Sequence, residues 1–316
     1  MKVYLEQKKA GWMAGAAVFL CSGLGFSAET SLPFLNMSVG AHAQSMGGAY
    51  MALAEDGSAN ATNPAAIAGA EKRNIFLYHS RFVSGYTYNY LGYAHPFQSR
   101  KSGFGLAMGY LSKGDFQGRD QNGVETGSFN ANDTLLTLTY SRKMSSAISL
   151  GAGANFIHSS VESVSASGFA FDFSGSYRLS ENTNFAAGVF HLGPAISYAN
   201  QKSDLPSQIS AGLAHQFFGA LTLTGDARYG LKNQNFTLGF GGQMSLAKIA
   251  SLRLGYTSQI SKSLPVASNS NSSINNLSGL GMGMGLKLFS KTSLDYAFVP
   301  MGELGGTHHM DLSWGY

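Results

Sequence analysis

Cysteine is nearly missing from this chain. Cys21 is the only one in 316 residues, which excludes a disulfide framework and thiol chemistry built on paired cysteines. Charge is scarce as well, at 12% Asp, Glu, Lys and Arg, about half the usual share for soluble domains. Proline is sparse, with 7 residues. After the N-terminal segment no apolar run is long enough for a membrane helix. Of the formal +4 charge, Lys2, Lys8, Lys9 and Glu6 together supply +2, so the remainder offers no basic surface for nucleic acid. No phosphate loop, zinc spacing or catalytic triad stands out, and neither a cofactor nor a metal is expected. What is abundant is glycine, 40 residues, and aromatic side chains, 12%.

The N-terminus reads as a secretory signal peptide over residues 1–28. Lys2, Lys8 and Lys9 precede an apolar stretch, Gly11 to Leu24, that is short for a bilayer span, and the small residues Gly25 and Ser27 suit cleavage. Val18-Phe19-Leu20 before Cys21 lacks the small residues of a lipoprotein signal. At the other end, His308, Met310, Leu312, Trp314 and Tyr316 alternate with His309, Asp311, Ser313 and Gly315. The chain thus ends in a strand with one greasy and one wet face, and the terminal aromatics suit the interfacial girdle of an outer-membrane barrel.

Between these ends one pattern recurs from Asn74 onward: alternation over some ten residues, then a turn. Phe169, Phe171, Phe173 and Tyr177 alternate with Ala170, Asp172, Ser174, Ser176 and Arg178. Leu280, Met282, Met284, Leu286 and Leu288 alternate with Gly279, Gly281, Gly283, Gly285 and Lys287. A soluble sandwich would cover its polar face with Lys and Glu, whereas these strands carry Gly, Ser and Thr. Glycine weakens a strand, so its repetition on one face implies something passing close by on that side. The expectation is an all-β fold: a 14-stranded antiparallel transmembrane β-barrel over residues 74–316, greasy side outward, in the bacterial outer membrane.

Strand starts fall near Asn74, Tyr86, Ser102, Asp133, Ala147, Ser167, Thr183, Pro206, Ala220, Gln234, Ala250, Leu277, Thr292 and Thr307. The long connections Lys113–Asn132, Ser159–Ala166, Pro194–Leu205 and Ile260–Asn276 all occupy odd joints. The even joints are short, as periplasmic turns should be.

Residues 29–73 do not alternate. Small residues crowd Ala41 to Tyr50, and Asn63-Pro64 starts a short helix with a capping residue and a proline at its first position. This segment reads as a plug, or hatch, with short helices, folded against the glycine-lined inner wall.

Three stretches resemble the PorV/PorQ outer-membrane family: Gly40 to Asp56 with Asn63-Pro64-Ala65, Leu205-Pro206 with Ser210 to Ala214, and Asp295 to His308. The resemblance implies a FadL-like barrel with an N-terminal hatch. It implies one of two roles: a type IX-like secretion accessory that docks exported client proteins, or a channel for hydrophobic small molecules. Outer-membrane lipid is an expected partner in both. His309 departs from the family's pattern, which has a basic residue there, and the external loops are short.

Met46, Gly47, Gly48, Asp56, Asn63 and Pro64 are the candidate plug and gating residues. Pro300, Gly302, Gly305, Thr307 and His308 form the candidate external partner contact. Asp172, Arg178, Asp226, Arg228, Asp295 and Asp311 are candidate lumen charges, with Arg253 and Lys287 beside them. Charges at membrane depth need pairing or water, and pairing with the wall or plug is the simpler expectation. His308 and His309 point to opposite faces and make poor joint metal ligands. His158 and Ser160 share a face, but no third group is evident to orient the histidine as a base, so ordinary strand polarity is the better reading.

Overall fold

The computed structural model describes residues 32–82, 85–119, 122–198, 201–246, 249–260, 279–289, 291–301 and 305–316. Fourteen strands form a closed antiparallel barrel: β1 (Asn74–Arg81), β2 (Thr87–Phe97), β3 (Ser102–Arg119), β4 (Glu125–Lys143), β5 (Ile148–Val161), β6 (Val164–Ser180), β7 (Thr183–Leu192), β10 (Gln208–Phe217), β11 (Leu221–Gly230), β12 (Phe236–Leu246), β13 (Ala250–Ile260), β14 (Leu280–Leu288), β15 (Thr292–Pro300) and β16 (Gly306–Gly315). The short pair β8 (Ile196–Tyr198) and β9 (Gln201–Ser203) stands apart from the wall. The last strand closes on the first, in register from Asn74↔Gly315 to Arg81↔His308.

The greasy faces point outward. Phe169, Phe173, Leu254, Met284 and Trp314 are all about half exposed, while their neighbours Ala170, Asp172, Ser174, Asp226 and Asp311 are buried. An apolar exterior of this extent is the inverse of a soluble barrel and matches a wall that meets hydrocarbon. We call the end with Asn74 and Gly315 the terminal end, and the opposite one the distal end.

Two expected loops prove to be strands. Lys113–Asn132 was expected to be a loop, yet β3 runs through Arg119 and β4 begins at Glu125. Ser159–Ala166 reduces to the turn Glu162–Ser163, with φ of 55° at Glu162. In these stretches both strand faces are polar, so no alternation marked them. Pro194–Leu205 carries the β8–β9 pair. Most of the Ile260–Asn276 connection lies outside the described residues.

Pairing shows where β3–β6 outrun their neighbours. β2 pairs β3 only as far as Thr87↔Ser112. β6 meets β7 only from Phe171↔Leu192 toward the terminal end. The distal parts of β3, β4, β5 and β6 therefore stand beyond the rest of the wall as a four-stranded sheet.

Candidate functional site

Residues 32–70 lie inside the barrel. The chain makes a 3-10 turn at Pro33–Asn36, a short helix α1 (Ala41–Ser45), a second helix α2 (Ala59–Thr62), and a 3-10 turn at Pro64–Gly69. Ala41, Met46, Ala49, Ala59, Ala65 and Ile67 are fully buried. Helices this short have little stability of their own, so wall side chains must satisfy their free backbone groups.

Carboxylates of the wall do so. Asp311 Oδ2 accepts the N–H of Ala41 at 2.6 Å and that of His42 at 3.3 Å, the first two residues of α1. Asp226 Oδ2 accepts the N–H groups of Tyr50 and Met51, both at 3.0 Å. Arg228 donates to the carbonyl of Gly48 and to Ser38 Oγ, and Thr257 donates to the Gly47 carbonyl. Leaving a buried N–H unpaired costs about 1–3 kcal/mol, and Asp226 and Asp311 each satisfy two of them.

Amides and hydroxyls complete the seat. Asn74 accepts from Gly57 N–H at 2.9 Å. Asn60 donates to the carbonyls of Gly57 and Tyr93. Asn63 donates to the Met51 carbonyl and to Ser176 Oγ, and Ala65 N–H donates to Ser174 Oγ at 2.9 Å.

Glycines allow the approach. A Cβ on Gly255 would stand 2.1 Å from Gly47 N, one on Gly281 2.3 Å from Gln44 O, one on Gly92 2.3 Å from Gly57 O, and one on Gly151 2.3 Å from Ala65 N. Those neighbours are backbone atoms and cannot swing aside. Gly47 itself has φ +64°, and a Cβ there would meet the Tyr256 backbone at 2.5 Å. The inner-wall glycines are thus the footprint of the luminal segment.

The candidate lumen charges separate into four kinds. Asp226, Arg228 and Asp311 hold the segment directly. Asp295 pairs with Arg253, which also donates to Gln243 at 2.7 Å. Asp172 accepts from Asn155 at 2.7 Å and from His191 N–H at 2.7 Å, where β7 bulges against β6. Arg178 and Lys287 lie exposed at the terminal rim, Arg178 near enough to Glu55 to attract it.

Among the plug candidates, Met46 packs against Gly241, and Pro64 against Gly151. Asp56 accepts from Ser58 N–H at 2.9 Å and from its hydroxyl. Burial pushes the Asp56 carboxyl above its ordinary value. Glu55 is raised by burial and then by Glu71 and Asp56. His42 is lowered by burial and by Arg253. Its ring lies 4.7 Å from that of Tyr50.

The external candidates fall elsewhere. Pro300 ends β15 opposite Gly306, and Gly305 has φ +102°. Gly302 lies outside the described residues. Thr307 is buried and bonds the Val299 carbonyl and His309 Nε2. His308 is outside, its Nδ1 at 2.7 Å from Tyr296 Oη. These residues belong to β15 and β16, whereas Met46–Gly48 seats on β11–β13, so the structure does not assemble them into one site. His158 Nδ1 bonds Ser167 at 2.9 Å across β5 and β6, on the outer face. Among the described residues no group of three or more His, Cys, Asp or Glu could hold a metal.

Sequence reasoning missed Asn60, Asn74, Thr257 and His309. Asn60 is legible in retrospect as a buried amide among alanines. His309 is buried between Tyr78 Oη, 2.8 Å from Nδ1, and Thr307; alternation turns it inward but does not give these partners.

With this geometry in place, comparison decides the family. Residues 26–220, more than half of the chain, match the family described as type IX secretion system protein PorV. The chain belongs to the PorV family. The matched stretch contains Gly40–Asp56, Asn63–Ala65 and Leu205–Ala214 and stops short of Asp295–His308. No curated protein matches the chain. Solved structures share the fold. A Pseudomonas aeruginosa FadL homologue aligns at 13% identity and TM-score 0.61, covering 92% of this chain and 100% of its own. The Pseudomonas putida toluene transporter TodX aligns at 14% and 0.59, covering 92% and 97%. The Ralstonia pickettii toluene transporter TbuX aligns at 12% and 0.59, covering 88% and 98%. The protein is a FadL-like, 14-stranded barrel of the bacterial outer membrane.

Proposed function

We propose that this protein is a transmembrane docking platform that receives exported client proteins at the outer membrane, as an accessory of a type IX-like secretion pathway. One observation carries the reading beyond family membership. The lumen is occupied by a segment bonded to the wall on many sides, and among the described residues the projecting β3–β6 sheet is a surface open to a macromolecule. In this reading residues 1–28 are a cleaved signal peptide, 29–73 a hatch and 74–316 the membrane barrel, with lipid against the outward Leu, Phe and Met side chains. Most of the protein's buried charged groups hold backbone of the luminal segment or pair with one another. Deleting the gene tests the role. Secreted proteins should fail to attach at the cell surface, and normal attachment in the deletion strain would end this reading.

A second reading draws on a specific feature. Leu32, Phe34 and Leu35 pack with Tyr88, Tyr90, Leu111, Leu135 and Ile157 in the distal lumen. If the segment withdrew, that apolar lining would suit a hydrophobic small molecule. A lipid or detergent retained by the purified barrel and lost after Leu135→Asn would favour this channel reading.

A further inference from the structure

The projecting sheet has two free edges, and they are built differently. Among the described residues, β3 has no strand partner on its β2 side beyond Ser112. That edge carries Lys113, Asp115 and Arg119, and a bulge at Gly114, φ +81°, where the register shifts between Ser112 and Asp115. Lys113 is tied to buried Asp133 at 2.8 Å. Charges and bulges are how exposed edges are kept from pairing with other chains. The β6 edge, Val164–Ala170, has none of these. It reads Val-Ser-Ala-Ser-Gly-Phe-Ala, without charge, proline or bulge, and among the described residues no strand pairs with it on the β7 side.

The direction of its backbone groups follows from the turn. Val161 pairs with Val164 across the two-residue turn, and Glu162 N–H donates to Asn130 O on β4. Antiparallel strands alternate their bonding sides. Val164, Ala166 and Gly168 therefore bond β5, and the N–H and C=O groups of Ser165 and Ser167 face the open side. Phe169 O is screened by Gly193, where an added Cβ would stand 2.2 Å away. Ile196 of β8 covers the inner face at Gly168, stiffening the strand from behind without pairing with its edge.

We propose that the β6 edge at Ser165 and Ser167 is a strand-addition site that takes an extended, uncharged segment of an exported client protein. This inference rests on the docking reading above and names the surface where docking occurs. Two N–H and two C=O groups in fixed register give backbone recognition, and the small side chains of Ser165 and Ser167 leave room for the incoming strand's residues on the outer face.

The test uses the full-length barrel in detergent micelles, with a synthetic peptide of alternating Thr and Val as probe. Bound peptide should slow amide exchange at Ser165 and Ser167 by about tenfold or more. Ser165→Pro removes only an edge donor and should abolish protection at Ser167, and Ser167→Pro, which also gives up the His158 bond, should abolish it at Ser165. Gln117→Pro, placed likewise on the β3 edge, should leave it intact. In cells, Ser165→Pro should reduce surface attachment of secreted proteins and Gln117→Pro should not. If a proline variant fails to reach the folded, heat-modifiable form, Ser165→Lys and Ser167→Lys test the same edge by adding the missing charge. Unchanged exchange with peptide, wild-type attachment in the folded variants, or a homodimer that Ser165→Pro dissociates would each overturn the proposal. Attachment lost on gene deletion but kept in Ser165→Pro would remove this edge and leave the docking reading standing. Attachment unaffected by deletion would remove the reading itself, with the peptide arm still deciding the edge.

Discussion

The two halves of the barrel solve opposite problems. In the terminal half, backbone touches backbone. Gly255 lies against Gly47, Gly151 against Ala65, and Asp226 and Asp311 accept from buried N–H groups. In the distal extension, two strand edges stand without strand partners among the described residues, and only the β3 edge carries charge and a bulge. The first region resembles a protein core and should resist change. The second resembles an interface awaiting a partner and should tolerate it.

The largest expected effect breaks the terminal half. Gly255→Val places a side chain where Gly47 backbone sits, and should cost about 3 kcal/mol or expel the segment. Loss of the heat-modifiable folded band, or new protease cleavage within residues 32–70, measures this. A smaller effect follows for Asp226→Ala. Two buried N–H groups lose their acceptor, with an expected cost of about 2 kcal/mol. Amide exchange at Tyr50 and Met51 should rise while β5 and β6 stay protected.

The distal sheet should respond far less. Phe116 and Phe129 stack with centroids 5.5 Å apart, and Phe129→Ala should cost about 0.5–1.5 kcal/mol without altering exchange at Ala41 or Tyr50. A luminal change from this substitution would show the halves to be coupled.

The smallest effect is in pH. His42 is held below 6.5 by burial first and Arg253 second. Near that pH the folded state binds fewer protons than the unfolded chain. The stability tied to neutral His42 is therefore present above pH 6.5 and lost as pH falls below it. Glu55 and Asp56, pushed upward by burial, act oppositely, costing stability as pH rises past their ordinary 4.5 and 3.8. The difference in unfolding midpoint between wild type and His42→Gln should shrink between pH 7.5 and 5.5, and a constant difference would assign His42 no such role.

Where a residue's neighbourhood follows from alternation, the sequence was informative. Outward Phe169, Met284 and Trp314, inward Asp226 and Asp311, and the count of fourteen wall strands all come from a period of two plus turns. The glycine stripe also pointed to close packing, and residues 41–48 supply the other surface. What alternation cannot register is a strand polar on both faces. β4 therefore starts at Glu125 rather than near Asp133, and the projecting β3–β6 sheet reads from sequence as loops. Nor does it register height within the barrel, so exposed Arg178 was grouped with buried Asp172. Partners distant in sequence, such as Asn74 with Gly57 N–H or His309 with Tyr78, are fixed only by closure.

Residue-resolved amide exchange of the detergent-solubilised barrel tests the whole picture most directly. Ala41, His42, Tyr50 and Met51 should exchange slowly, near the rate of the wall, while Ser165 and Ser167 exchange fast. Rapid exchange at the four luminal amides in the folded barrel would contradict a lumen filled and bonded by residues 32–70.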